Sequence, residues 1–102
     1  MSDFVKVAQV GEIALGKGKV VEVNGQMIAV LNSGGTFYAL DNFCPHKGGP
    51  LGEGTVVGNL VLCPWHCWTF DITTGKCTVN SMSPPVTCFE VKVEGDDILV
   101  RI

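Results

Sequence analysis

The sequence predicts an all-β fold, a sandwich or small barrel of short antiparallel strands carrying one loop-rich insertion. Three observations predict it. Apolar residues recur at every second position through most of the chain, the period of a half-buried strand. Turn residues interrupt that alternation about every eight to twelve residues. No window places apolar residues at helical spacing over any length.

The elements follow in order. Phe4 to Ala8 alternates as a strand. Glu12 to Gly18 has room for one turn. Lys19–Val23 and Gln26–Leu31 flank Asn24-Gly25, the dipeptide best suited to a two-residue hairpin, because both central positions of that turn need positive φ. Thr36–Leu40 follows a second hairpin turn, Asn32-Ser33-Gly34-Gly35. From Asp41 to Gly54 prolines and glycines break the rhythm, and Leu60–Cys63 and the residues around Phe70 are short strands within the insertion, read as about 41–75. Thr87–Glu94 then alternates cleanly, with Phe89, Val91 and Val93 on one face and Cys88, Glu90, Lys92 and Glu94 on the other. Gly95-Asp96-Asp97 turns it into a last strand.

Composition sets the class. The 102 residues suit one domain, 1–102, and 46% apolar with 17% charged residues describes a globular chain. A net charge of −3 without a basic stripe argues against nucleic-acid binding. No apolar run approaches the ~20 residues that span a bilayer, and no secretory signal is visible. The expectation is a soluble cytoplasmic protein with no membrane partner. Five cysteines in such a chain point to metal ligation rather than to a disulfide framework.

The insertion holds both histidines. Each follows a cysteine and a proline: Cys44-Pro45-His46 and Cys63-Pro64-Trp65-His66. Proline fixes φ near −65° and removes a donor, which stiffens the backbone beside each cysteine. Gly48 and Gly49 let backbone approach something bulky. Two metals suit two thiolates and two imidazoles. Zn²⁺ takes such a set tetrahedrally. A [2Fe–2S] cluster takes both cysteines on one iron and both histidines on the other, which accounts for one ligand of each kind in each segment.

With "GGPLGEG" after the first segment and "TFDITTGK" after the second, these residues resemble the Rieske iron–sulfur domain. The resemblance implies an antiparallel β-sandwich with a cluster-binding subdomain at one end and one [2Fe–2S] cluster per chain. It implies Cys44 and Cys63 on the buried iron, His46 and His66 on the outer iron, and Pro84-Pro85 in a segment that covers the cluster. It places Lys47, Pro50, Leu51 and Trp65 at the tip. Respiratory members of that family carry a disulfide between the two segments, and here the matching residues are Gly49 and Trp65. They also place a serine and a tyrosine, donors to sulfur, where this chain has Trp68 and Phe70. Donors to sulfur stabilise the charge added on reduction, so their loss implies a low potential.

A low-potential Rieske domain resembles the ferredoxins that pass electrons from a flavin-containing reductase to a terminal oxygenase. It also resembles the small subunit of NAD(P)H-dependent nitrite reductase, which docks on a larger subunit. The first implies a monomeric electron carrier and not an enzyme. A structural zinc-binding interaction module is the reading from another class. Cys67, Cys77 and Cys88 fall outside the ligand pattern and read as small packing residues, with Cys88 partly exposed.

Overall fold

A computed structural model of the chain describes residues 4–43, 50–64, 68–79 and 85–101. Six strands make the larger sheet: β1 (Phe4–Gln9), β2 (Gly18–Val23), β3 (Gln26–Ser33), β4 (Thr36–Asp41), β8 (Cys88–Glu94) and β9 (Asp97–Arg101). Three make the smaller: β5 (Thr55–Val57), β6 (Leu60–Leu62) and β7 (Thr69–Asp71). All pairings are antiparallel, in the orders β1-β9-β8-β4-β3-β2 and β5-β6-β7. The edge strands β1 and β2 come into contact, so the larger sheet rolls nearly into a barrel.

That roll explains two cores. One, inside the rolled sheet, collects Val21, Val23, Ile28, Val30, Ala39, Ile98 and Val100. The other lies between the outer face of β3 and β4 and the small sheet: Ala29, Leu31 and Leu40 meet Leu51, Val56, Val61, Cys63, Phe70, Ile72 and Val86. Because side chains alternate along a strand, β3 serves both cores, and Ile28 to Leu31 are all completely buried. Hence the unbroken apolar run Met27 to Leu31 in this strand.

The first hairpin turn is as the sequence predicts. Asn24 and Gly25 take φ of 52° and 82° between Val23 and Gln26, which pair. Other turns are tighter than predicted. Ser33 pairs with Thr36, so only Gly34 and Gly35 form the second turn, and Glu94 pairs with Asp97, so Asp97 belongs to β9. The helical turn lies at Val10–Glu12, not across Glu12 to Gly18. Gln9 N–H donates to the Glu12 carboxylate at 2.6 Å and closes that turn from the strand before it, a contact the apolar pattern cannot encode.

The acids of the last hairpin are partly paired: Asp97 with Lys6 at 3.2 Å and Glu94 with Lys92 at 3.4 Å. Exposed pairs of this kind contribute little.

Candidate metal centre

Two segments carry the predicted ligands, and the described residues fix the base of each. Strands β6 and β7 pair as far as Leu62 and Thr69, and Cys63 N–H then donates to the Trp68 carbonyl at 2.7 Å. Cys63 therefore sits at the last paired position before the sequence Pro64 to Cys67. Its side chain is buried among Leu51, Val61, Phe70 and Ile72, with Trp68 packed against the same core.

At the other base, Phe43 and Pro50 form an antiparallel bridge, and Leu51 N–H donates to the Asn42 carbonyl at 2.7 Å. A 3-10 turn, Leu51–Glu53, follows. It packs tightly: a Cβ on Gly54 would overlap the carbonyl oxygen of Leu62, the residue before Cys63. Only glycine lets the turn lie against the strand that delivers the cysteine.

Of the predicted ligands, Cys63 is described; Cys44, His46 and His66 lie outside the described residues, as do Lys47, Trp65, Cys67 and Pro84. Among the described residues no three His, Cys, Asp or Glu side chains converge on a point. The surroundings of Cys63 fit a thiolate that holds a cluster iron. Its neighbours are apolar, which suits a sulfur ligand, and among the described residues no carboxylate belongs to that core.

Phe70 is fully buried in this core, and Trp68 is half-buried. Leu51, expected at the exposed tip, is also fully buried. The physical reason is the 3-10 turn, which folds Leu51 back under the small sheet while Pro50 stays half-buried. Phe43 is the large apolar side chain exposed at this base, 50% accessible.

A third strip supports the same core. Residues 76–78 run beside β7: Asp71 N–H donates to the Lys76 carbonyl at 2.8 Å, and Thr78 N–H to the Thr69 carbonyl at 2.9 Å. Asp71 organises the intervening turn by accepting from Thr73 N–H at 2.8 Å and from its hydroxyl. Those two bonds hold the Asp71 carboxyl below its ordinary pKa. Val86 N–H then donates to the Gly75 carbonyl at 2.8 Å and seats Val86 in the core.

Cys77 is half-buried against this core, and Cys88 is exposed on β8, as the alternation predicts. Partial burial of the Cys88 sulfur, and then the nearby Asp71 carboxylate, push its thiol pKa up. That disfavours the reactive thiolate. Sequence reasoning missed Asn42, Gly52 and Gly54. Their signal in the sequence is the pair of glycines in "PLGEG", two residues apart beside the first ligand segment.

Comparisons with known proteins agree on one family. The model of the Rieske [2Fe-2S] domain matches residues 3–90. The chain is 36% identical over 99 residues to the ferredoxin component of biphenyl 2,3-dioxygenase from Rhodococcus jostii, covering 97% of this chain and 92% of that one. A chain in the solved complex of reduced oxygenase and oxidized ferredoxin in carbazole 1,9a-dioxygenase superposes with a TM-score of 0.85 at 31% identity, covering 95% of this chain and 91% of that one. The putative NADH-dependent nitrite reductase small subunit from Mycobacterium tuberculosis superposes at 0.91 over 100% of this chain and 96% of that one. At 19% identity that likeness shows the fold alone.

Proposed function

The chain belongs to the Rieske [2Fe-2S] domain family, and from that premise we propose that it is the ferredoxin component of an oxygenase system, carrying single electrons from a flavin-containing reductase to a terminal oxygenase. The observation that supports this most is the match to the biphenyl dioxygenase ferredoxin, which runs through nearly the whole of both chains. The family brings one [2Fe–2S] cluster per chain, not a zinc ion. When bound, that cluster supplies a site that takes up and releases one electron.

This chain's residues hold and tune it. Cys44 and Cys63 would hold one iron and His46 and His66 the other, which would leave no open iron position for a substrate. The unit at about 41–75 is the cluster-binding subdomain, carried on a β base that completes a single domain. Burial of Cys63 in an apolar core, and residues without a hydroxyl at positions 68 and 70, put the potential near the low end of the Rieske range, roughly −150 to +300 mV. The carrier works as a monomer in the cytoplasm. Among the described residues no helix is long and apolar enough to cross a membrane.

Iron and acid-labile sulfide should each be found at about two per chain, with an electron paramagnetic resonance (EPR) signal on reduction. Zinc without sulfide would overturn the ligand assignment. The partner assignment is tested by reconstitution: the protein should couple a flavin reductase to a terminal oxygenase. If it instead sustains only a nitrite reductase, the nitrite reductase small-subunit reading takes its place.

A further inference from the structure

We infer that Asn42 is a positioning residue that fixes the two ligand-bearing segments relative to each other. The inference rests on the cluster assignment above. Asn42 is 2% exposed and lies two residues before Cys44. Three of its groups are engaged in three directions. Its N–H donates to the Met27 carbonyl of β3 at 3.1 Å. Its carbonyl accepts from Leu51 N–H at 2.7 Å. Its side-chain Oδ1 accepts from Gly52 N–H at 2.9 Å.

Each bond reaches a different part of the site. The first ties the residue to the rolled sheet. The second closes the base of the 44–49 segment beside the Phe43–Pro50 bridge. The third, through the side chain, holds the Leu51–Glu53 turn, whose next residue, Gly54, lies against the Leu62 carbonyl just before Cys63. One amide oxygen therefore links the approach to Cys44 with the backbone that delivers Cys63. Gly52 completes the fit: a Cβ there would stand 2.7 Å from Val20 Cγ2 and 3.1 Å from Asn42 Oδ1, so glycine lets the turn lie this close to β2 and to the Asn42 amide.

A second buried asparagine provides the control. Asn32 is 5% exposed and also bonds through its side chain, donating to the Ile13 carbonyl at 2.8 Å and accepting from Gly35 N–H at 2.9 Å. It pins the Val10–Gly18 connection at the other end of β3. Both residues serve the fold; of the two, Asn42 bonds to the residues that directly follow the 44–49 segment.

The test compares Asn42→Ala, Asn42→Asp and Asn32→Ala in the cluster-loaded protein. Three readouts are taken: thermal midpoint, g-values and line width of the reduced EPR signal, and rate of cluster loss to a ferrous chelator. Both alanine variants should lower the midpoint. Only Asn42→Ala should broaden or shift the EPR signal and speed cluster loss, by about tenfold or more, the range typical of groups that orient metal ligands. Asn42→Asp keeps an acceptor for Gly52 N–H and should lose its cluster more slowly than Asn42→Ala; Asn42→Ser, with a shorter side chain, carries the test if Asn42→Ala does not fold. Equal effects of the two alanine variants on the cluster, an unchanged signal in Asn42→Ala, or cluster loss from Asn42→Asp as fast as from Asn42→Ala would each overturn the inference. A wild-type protein with no [2Fe–2S] signal would instead overturn the cluster assignment, and the inference with it.

Discussion

In the rolled sheet, paired strands of five to eight residues supply the buried side chains, with alternate residues of β3 and β4 facing opposite cores, whereas each three-residue strand of the small sheet buries only its central residue, Val56, Val61 or Phe70. The rest of the small sheet's core is borrowed. Leu51 comes from a 3-10 turn, Ile72 from a turn after β7, Val86 from the chain before β8, and Leu31 and Leu40 from the large sheet. One region is built by periodicity. The other is assembled from single residues held by backbone bonds and close glycine contacts, and it holds Cys63, the candidate ligand among the described residues. A region built this way should open at lower free energy than the sheet beneath it.

The largest effect should separate the two regions outright. Cys63→Ser removes a thiolate from the apolar core, and cluster absorbance should be lost almost completely. Hydrogen exchange should then rise at Val61 and Phe70 while Val30 and Val100 stay protected. Uniform loss of protection would mean that the two regions unfold as one.

Ile28→Ala attacks the other core. The side chain is completely buried, so the substitution should cost about 2–5 kcal/mol by denaturant unfolding. The EPR signal of the remaining folded protein should not change. A change would show that the rolled sheet positions the ligands directly.

Gly54→Ala should cost about 1–3 kcal/mol, because the new methyl meets the Leu62 carbonyl rather than a movable side chain. Gly11→Ala, where a Cβ would meet nothing within 4 Å, should stay within about 0.5 kcal/mol. Similar values for both would remove close packing as the reason for glycine at position 54.

Phe70→Tyr adds a hydroxyl to the Cys63 core. A charge-assisted hydrogen bond of about 1.5–3 kcal/mol corresponds to roughly 60–130 mV for one electron, so voltammetry should show a rise of up to that order. No rise would mean that position 70 does not face the cluster sulfur.

The smallest effect is local to the Asp71 turn. The Asp71 carboxyl is depressed below 3.8 in the folded chain, so the turn's electrostatic support is present above the unfolded value and is lost as pH falls through the folded one. The Thr73 amide proton should shift with a midpoint below 3.8. A midpoint at or above that value would remove the turn's charge dependence.

The same contrast explains what the sequence revealed. Strands of the rolled sheet are legible because β2, β3, β4, β8 and β9 each repeat one chemical signal over several residues. The Asn24-Gly25 turn is legible because few dipeptides tolerate its backbone. The candidate ligands stand out through their residue types, Cys63 among them. What stayed hidden depends on non-local contacts. Leu51 reads as an exposed tip residue until the Asn42–Gly52 bond folds its turn inward. The glycine at 54 reads as a breaker until Leu62 is seen against it. Val10–Glu12 forms its turn through a carboxylate that reaches back to Gln9, a pairing that no periodicity announces.

The hairpin turn at Gly95-Asp96 has a practical consequence. Strand β8 starts at Cys88, beside Leu40, and ends at Glu94, six residues on, about 20 Å away at ordinary strand rise. A Cβ on Gly95 would meet nothing within 4 Å. An inserted linker there has open space and lies at the opposite end of β8 from Cys88 and Leu40. The turn is thus a place to wire this carrier covalently to a donor protein, as one chain, without blocking the face from which electrons would leave.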